Sequence, residues 1–202
     1  VNSNSILDTI CKMLVGLYSA ESEGWQVIAL QNLGLLLRSY PHLWTREDVT
    51  QLLDGIFASD NLRLRELVIR SLSEYLTKEH EKKAAEVEAL SLKMPHSAKK
   101  RVDMEQLVGN TEVFADSSVS TQLIQRYLSA VLKGALNGDM PVTQRLSLDI
   151  LSHTVIRGLS HPLQCLPALI ALETANDQRI AAKAVHMHGH LASKHGTILA
   201  VR

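Results

Sequence analysis

Apolar residues recur every three or four positions along most of the chain, and short breaks interrupt this pattern. The clearest stripe consists of Leu123, Ile124, Tyr127, Leu128, Val131, Leu132, Ala135 and Leu136. This spacing places the apolar side chains on one face of a helix, so the chain is predicted to be all-α. Composition agrees, because 46% of the residues are apolar but only 4% are aromatic, which suits helical packing better than a β-sandwich.

The breaks group the predicted helices in pairs. Three second helices begin alike, with Arg65, Arg145 and Arg179 just inside the first turn and behind an Asp or Asn. Arg65 and Arg145 are 80 residues apart, or two repeats of about 40, which is the period of HEAT units. Arg179 follows after only 34 residues, so the period is loose. One pair cannot bury its apolar faces alone, and we therefore expect stacked antiparallel pairs, a HEAT-repeat α-solenoid.

Capping residues and apolar composition predict further local features. Thr45 and Asp48 form a near capping box, and Asp60 or Asn61 is expected to cap the helix that follows. Residues 25–39 are apolar on almost every side. A helix of this kind is expected to be enclosed between neighbouring helices.

We expect three parts along the chain. Residues 1–90 would hold helix pairs with a long last helix, and residues 120–202 would hold further pairs. Between them, residues 91–119 are expected to form a partly disordered linker, with one short helix near 104–107 and a turn at 116–118. The first residue is not Met and the last residues resemble a truncated helix, so we expect a fragment of a larger polypeptide.

The two cysteines, Cys11 and Cys165, lie within helical patterns and do not form a CxxC pair. A disulfide framework is therefore not expected, and a reducing compartment such as the cytosol or nucleus is favoured. No uncharged apolar run reaches about 18 residues, so no membrane-spanning helix is expected.

No sequence pattern indicates catalysis, and we expect no catalytic residue, metal or cofactor. Gly-rich phosphate loops and the GxSxG and HExxH motifs are absent. His186 and His190, in the histidine cluster 186–195, would face one side of a helix as zinc ligands do, but a third ligand is missing. Cys165 lacks an adjacent base, so we interpret it as a buried structural thiol. An enzyme that uses Cys165 or the histidine cluster is the least favoured alternative.

The formal net charge is zero, so only a local basic region could contact nucleic acid. The dense basic region consists of Lys78, Lys82, Lys83, Lys99, Lys100 and Arg101. Such a run is ordinarily a solvated helix end and linker. It could also contact DNA phosphates, which require clustered cations and no precise motif.

One segment carries a family resemblance. Residues 158–172, GLSHPLQCLPALIAL, resemble the GL-x-HP-x-QC-x-P-x-LIA segment of the cohesin loader, the Nipped-B (adherin) family. Residues 117–128 and 62–76 are similar to the segments that precede it in those proteins. The order and spacing fit over most of the chain, from about residue 29 onward.

The resemblance implies the C-terminal HEAT-repeat region of a loader subunit that works in the nucleus, on chromosomes. Such a scaffold would help load cohesin onto DNA and stimulate the cohesin ATPase. The implied partners are the cohesin ATPase heads, the kleisin subunit and DNA, with the loader's smaller subunit bound elsewhere. The residues Pro162, Gln164, Cys165 and Pro167 are expected to be architectural: Pro162 starts a helix, and the others pack or cap the hinge between pairs. The alternative is a HEAT scaffold of a nuclear-transport or phosphatase assembly.

Overall fold

A computed structural model describes residues 3–19, 22–93 and 111–200. All regular elements in these ranges are helices, which confirms the predicted all-α class. They are α1 (Ser3–Tyr18), α2 (Glu23–Ser39), a 3₁₀ helix (Pro41–Thr45), α3 (Glu47–Ala58), α4 (Leu62–Lys93), α5 (Thr111–Leu136), α6 (Pro141–Arg157), α7 (Pro162–Leu172) and α8 (Gln178–Ala200). No helix in the described part of the chain is both long and apolar enough to cross a membrane.

The helices stack as pairs in two layers. In one layer α2 contacts α4, α4 contacts α6, and α6 contacts α8. In the other, α1 contacts α3, and α5 contacts both the 3₁₀ helix and α7. Each helix of one layer also contacts its partner in the pair, as α1 does with α2 and α5 with α6. This arrangement confirms the predicted solenoid of stacked helix pairs.

A continuous apolar core lies between the layers. Among its largest fully buried side chains are Trp44 of the 3₁₀ helix and Tyr75 of α4, whose ring centroids are 5.8 Å apart. Burying one such side chain contributes about 1.5–3 kcal/mol. The stacking of pairs therefore supplies the cohesion that one pair lacks.

One face of α2 is exposed, although residues 25–39 are predicted to form a helix enclosed between its neighbours. Leu33 and Leu37 are buried, but Trp25, Ile28 and Leu35 are 53%, 45% and 53% exposed. The prediction was wrong because the contacts of α2 with α1, α4 and the 3₁₀ helix leave one face of the helix uncovered.

The predicted capping box at Thr45 is also wrong. Thr45 ends the 3₁₀ helix, where its hydroxyl donates a 3.0 Å hydrogen bond to the carbonyl of His42. Arg46 is the N-cap residue of α3, and its guanidinium binds both carboxylate oxygens of Asp48 at 3.0 and 2.6 Å. A charge-assisted bidentate pair is stronger than a neutral cap.

The predicted cap at Asn61 is confirmed, and two further helix ends are well defined. The amide of Leu64 donates a 3.1 Å hydrogen bond to Asn61 Oδ1 at the start of α4. Asp177 caps α8 through the amide of Arg179, at 2.8 Å. Gly158 ends α6 with a φ of 67°, a left-handed conformation that costs little without a side chain.

Residues at both ends of the predicted linker, 91–93 and 111–119, are helical. Helix α4 extends to Lys93, and α5 begins at Thr111. The turn predicted at residues 116–118 is therefore wrong, since these residues are helical. Asp and Ser cost at most about 0.7 kcal/mol each in a helix, which the apolar stripe downstream outweighs. The short helix predicted near residues 104–107 lies outside the described residues.

Candidate partner-binding surfaces

The described lysines of the predicted basic region lie on two different sides of α4. Lys78 and Lys82 are exposed and one helical turn apart, so they lie on the same side of α4. Both line a shallow depression together with Arg38 of α2. We call Arg38, Lys78 and Lys82 the α2–α4 surface. Arg38 was missed in the sequence because it is about 40 residues away, and only the packing of α2 on α4 brings it close.

Lys83 does not belong to this surface. Its ammonium binds Glu79 Oε1 at 2.8 Å, and the Glu79 carboxylate is only 3% exposed. Lys99, Lys100 and Arg101 lie outside the described residues, so their placement stays a prediction.

The α2–α4 surface also carries acidic side chains. Glu74 binds Arg38 at 2.9 Å, and Glu81 lines a second depression that also includes Arg38 and Lys78. Among the described residues no carboxylate pairs with Lys78, which leaves its charge available to a partner. A surface of mixed sign can meet complementary protein charges and can also contribute isolated phosphate contacts.

A buried ionic network lies beneath this surface. The carboxylate of Glu79 accepts hydrogen bonds from Arg157 of α6, from Lys83 and from Ser120 of α5. The hydroxyls of Tyr75 and Ser120 also form a hydrogen bond, at 3.2 Å. Burial by itself would raise the pKa of Glu79, but the bonds from Arg157, Lys83 and Ser120 outweigh it and lower that pKa. The network thus joins three helices around one ionised carboxylate.

The segment that carries the family resemblance forms the start of α7. Pro162 is the first helical residue, as predicted, and the ring of His161 accepts a 3.4 Å hydrogen bond from the amide of Leu163. Cys165 is 1% exposed, and its sulfur lies 3.6 Å from the hydroxyl of Ser160. Burial raises the pKa of the Cys165 thiol, which favours a structural thiol over a nucleophile.

Gln164 and Pro167 are both exposed. Their predicted role at the hinge between pairs stays a prediction. With Leu163 (44% exposed) and Ile170 (48% exposed) they share the outer face of α7, since positions three and four residues apart align on a helix.

The histidines of α8 have different surroundings. His186 is exposed, whereas Nδ1 of His188 lies 2.5 Å from Glu173 Oε1. In residues 3–19, 22–93 and 111–200, no group of three or more His, Cys, Asp or Glu side chains is placed to hold a metal ion.

Comparison with known proteins adds to this geometry. Residues 120–202 match the family described as "Sister chromatid cohesion C-terminus". Over these residues the chain is similar to the Nipped-B family. The resemblance seen in residues 158–172 is thereby confirmed.

Proteins similar to this chain are found from yeast to mammals. It is 26% identical over 182 residues to the "Nipped-B-like protein" of Homo sapiens, covering 89% of the chain but 6% of that protein. It is also 26% identical over 172 residues to "Sister chromatid cohesion protein 2" of Saccharomyces cerevisiae, covering 85% of the chain and 11% of the relative. The chain therefore spans a small part of the length of these relatives.

A solved structure has the same fold. The "Chaetomium thermophilum cohesin loader SCC2, C-terminal fragment" is similar with a TM-score of 0.75 at 20% identity. The likeness covers 98% of this chain and 13% of that one. It agrees with the stacked pairs described above.

Proposed function

We propose that this chain is a non-catalytic scaffold of a cohesin loader, which helps to load cohesin onto chromosomal DNA in the nucleus. In this role it binds the cohesin ATPase heads and kleisin, holds DNA near them, and stimulates ATP hydrolysis by cohesin. The loader's smaller subunit binds another region. The match of residues 120–202 to the sister chromatid cohesion family carries this proposal.

The geometry supports binding in preference to chemistry. A stack of helix pairs uses its interior for cohesion and leaves its outer faces to partners. The α2–α4 surface offers exposed charges of both signs, and the outer face of α7 offers apolar side chains. The buried, raised-pKa thiol of Cys165 does not support the enzyme alternative.

The test is a titration of purified cohesin, from the organism of the chain, against the immobilised 202-residue chain. We expect saturable binding that weakens as salt rises, because charged side chains contribute to the contact. Reversing both Lys78 and Lys82 to Glu should weaken it. The matched control reverses Lys12 and Lys194, which are also exposed but lie on α1 and α8.

The alternative scaffold predicts a different result. A chain that binds a nuclear import receptor or a phosphatase catalytic subunit, and shows no saturable binding to cohesin, would contradict the loader role.

A further inference from the structure

A cleft with a volume of about 350 Å³ opens where two helix pairs meet. Its walls are α3 and the start of α4 on one side, and the second half of α5 with the start of α6 on the other. The cleft lies apart from the α2–α4 surface, and no part of the proposed function uses it.

The floor of this cleft is apolar. Ile69 is 3% exposed. The ring centroids of Phe57 and Tyr127 are 5.0 Å apart. Leu62 and Ala130 line the walls, and Leu62 is 48% exposed. An apolar side chain that entered the cleft would leave water and contact these groups, which is favourable.

One charged pair in the cleft is already satisfied. Arg126 binds both carboxylate oxygens of Asp54, one of them at 2.9 Å. The hydroxyl of Tyr127 donates a third hydrogen bond to Asp54, at 3.1 Å. Arg126 lowers the pKa of Asp54, so this carboxylate stays ionised and fully engaged.

Two other cations line the cleft, and neither binds both oxygens of a carboxylate as Arg126 does. No carboxylate in the described part of the chain pairs with Lys133, which is exposed. Arg65 lies 3.8 Å from the carboxylate of Asp60, whose side chain is fully exposed. One NH2 group of Arg65 donates to the carbonyl of Ser59, but its buried Nε–H has no acceptor among the described residues. Because Asp54 is already bound by Arg126, Lys133 and Arg65 give the cleft an excess of positive charge.

We propose that this cleft binds an acidic peptide segment of a protein partner. An apolar side chain of the peptide rests on Ile69 and Phe57, and a neighbouring carboxylate meets Lys133 and Arg65. This site does not depend on the proposed cohesin-loading role, and it can be tested without cohesin.

The shape of the site favours a peptide over nucleic acid. Phosphate backbones are bound by rows of cations spread along an open surface. Here Lys133 and Arg65 flank an apolar recess, and Asp54 lies within the lining. A segment with both an apolar side chain and a carboxylate matches each of these features.

The experiment measures fluorescence anisotropy of a labelled peptide with a central Leu-Phe pair flanked by Asp and Glu, titrated with the 202-residue chain. Two comparison peptides replace either the acidic residues by Asn and Gln, or Leu-Phe by Gly-Ser. Both should bind about tenfold more weakly or worse, since each removes one half of the recognition. A short single-stranded DNA of equal charge is the competitor.

Variants of the chain locate the binding site. Lys133→Glu reverses an exposed charge, and Ala130→Trp fills the cleft; each should raise the Kd for the acidic peptide about tenfold. Lys12→Glu makes the same charge change on α1 and should leave the Kd unchanged. Circular dichroism at 222 nm checks that each variant is as helical as the wild type.

Three results would overturn the proposal. The first is no saturable peptide binding. The second is equal peptide affinity for the Lys133→Glu and Lys12→Glu variants. The third is DNA that binds more tightly than the peptide and loses affinity in the same cleft variants, which would identify a nucleic-acid site.

Discussion

Arg157 on α6 donates two hydrogen bonds, each 2.8 Å long, to the two carboxylate oxygens of Glu79 on α4. The two side chains are 11% and 3% exposed. They join neighbouring helices of one layer, and Ser120 joins the other layer to the same carboxylate. A buried pair of this kind fixes how two helix pairs are placed relative to each other.

Replacing Glu79 by Gln should destabilise the chain by about 3 kcal/mol, because it leaves Arg157 buried without its counter-charge. Urea unfolding followed by circular dichroism would measure the change. Glu81→Gln is the matched control, since Glu81 lies on the same helix but is exposed. Equal unfolding midpoints for the two variants would show that the network contributes little.

The same network predicts a loss of stability in acid. The pKa of Glu79 is lowered in the folded chain, so its contribution is complete above the unfolded pKa of about 4.3. It is lost as the pH falls through the lower, folded value. Urea midpoints measured from neutral to acid pH should therefore fall less steeply for Glu79→Gln than for the wild type. Parallel curves would rule out an ionised Glu79 in the fold.

Close packing of α2 on α4 depends on Gly34. A Cβ at this position would overlap Ser71 Oγ and lie 3.1 Å from Ser71 Cβ. Gly34→Ala should therefore destabilise the chain by about 1–3 kcal/mol, as overpacking does. Gly16→Ala, where a Cβ meets nothing within 4 Å, should be neutral or stabilising by up to about 1 kcal/mol. Thermal unfolding distinguishes the two; a stable Gly34→Ala variant would contradict the observed contact.

The sequence predicted what depends on local periodicity and missed what depends on neighbours. The apolar stripes, Asn61 and Pro162 mark helices that the structure contains. In contrast, nothing local indicates that Glu79 is buried, since its partner Arg157 is 78 residues away. Arg38 joins Lys78 for the same reason, and the exposure of Trp25 follows from which helices happen to cover α2.

DNA contact by the α2–α4 surface gives a separate prediction. The double variant Lys78→Glu, Lys82→Glu should bind a labelled DNA duplex about tenfold more weakly near physiological salt. The dependence of log affinity on log salt should also become shallower by about 2, one unit for each lost phosphate contact. Lys12→Glu, Lys194→Glu is the control. Unchanged affinity in the Lys78, Lys82 variant would remove this surface from DNA binding, without bearing on the family.

Crosslinking followed by mass spectrometry is the most direct test of the scaffold role. The 202-residue chain is mixed with purified cohesin and DNA at saturating concentration, and lysine crosslinks are mapped. The scaffold account predicts crosslinks from Lys78 or Lys82 to the cohesin ATPase heads or kleisin. Crosslinks confined to the chain itself would contradict it.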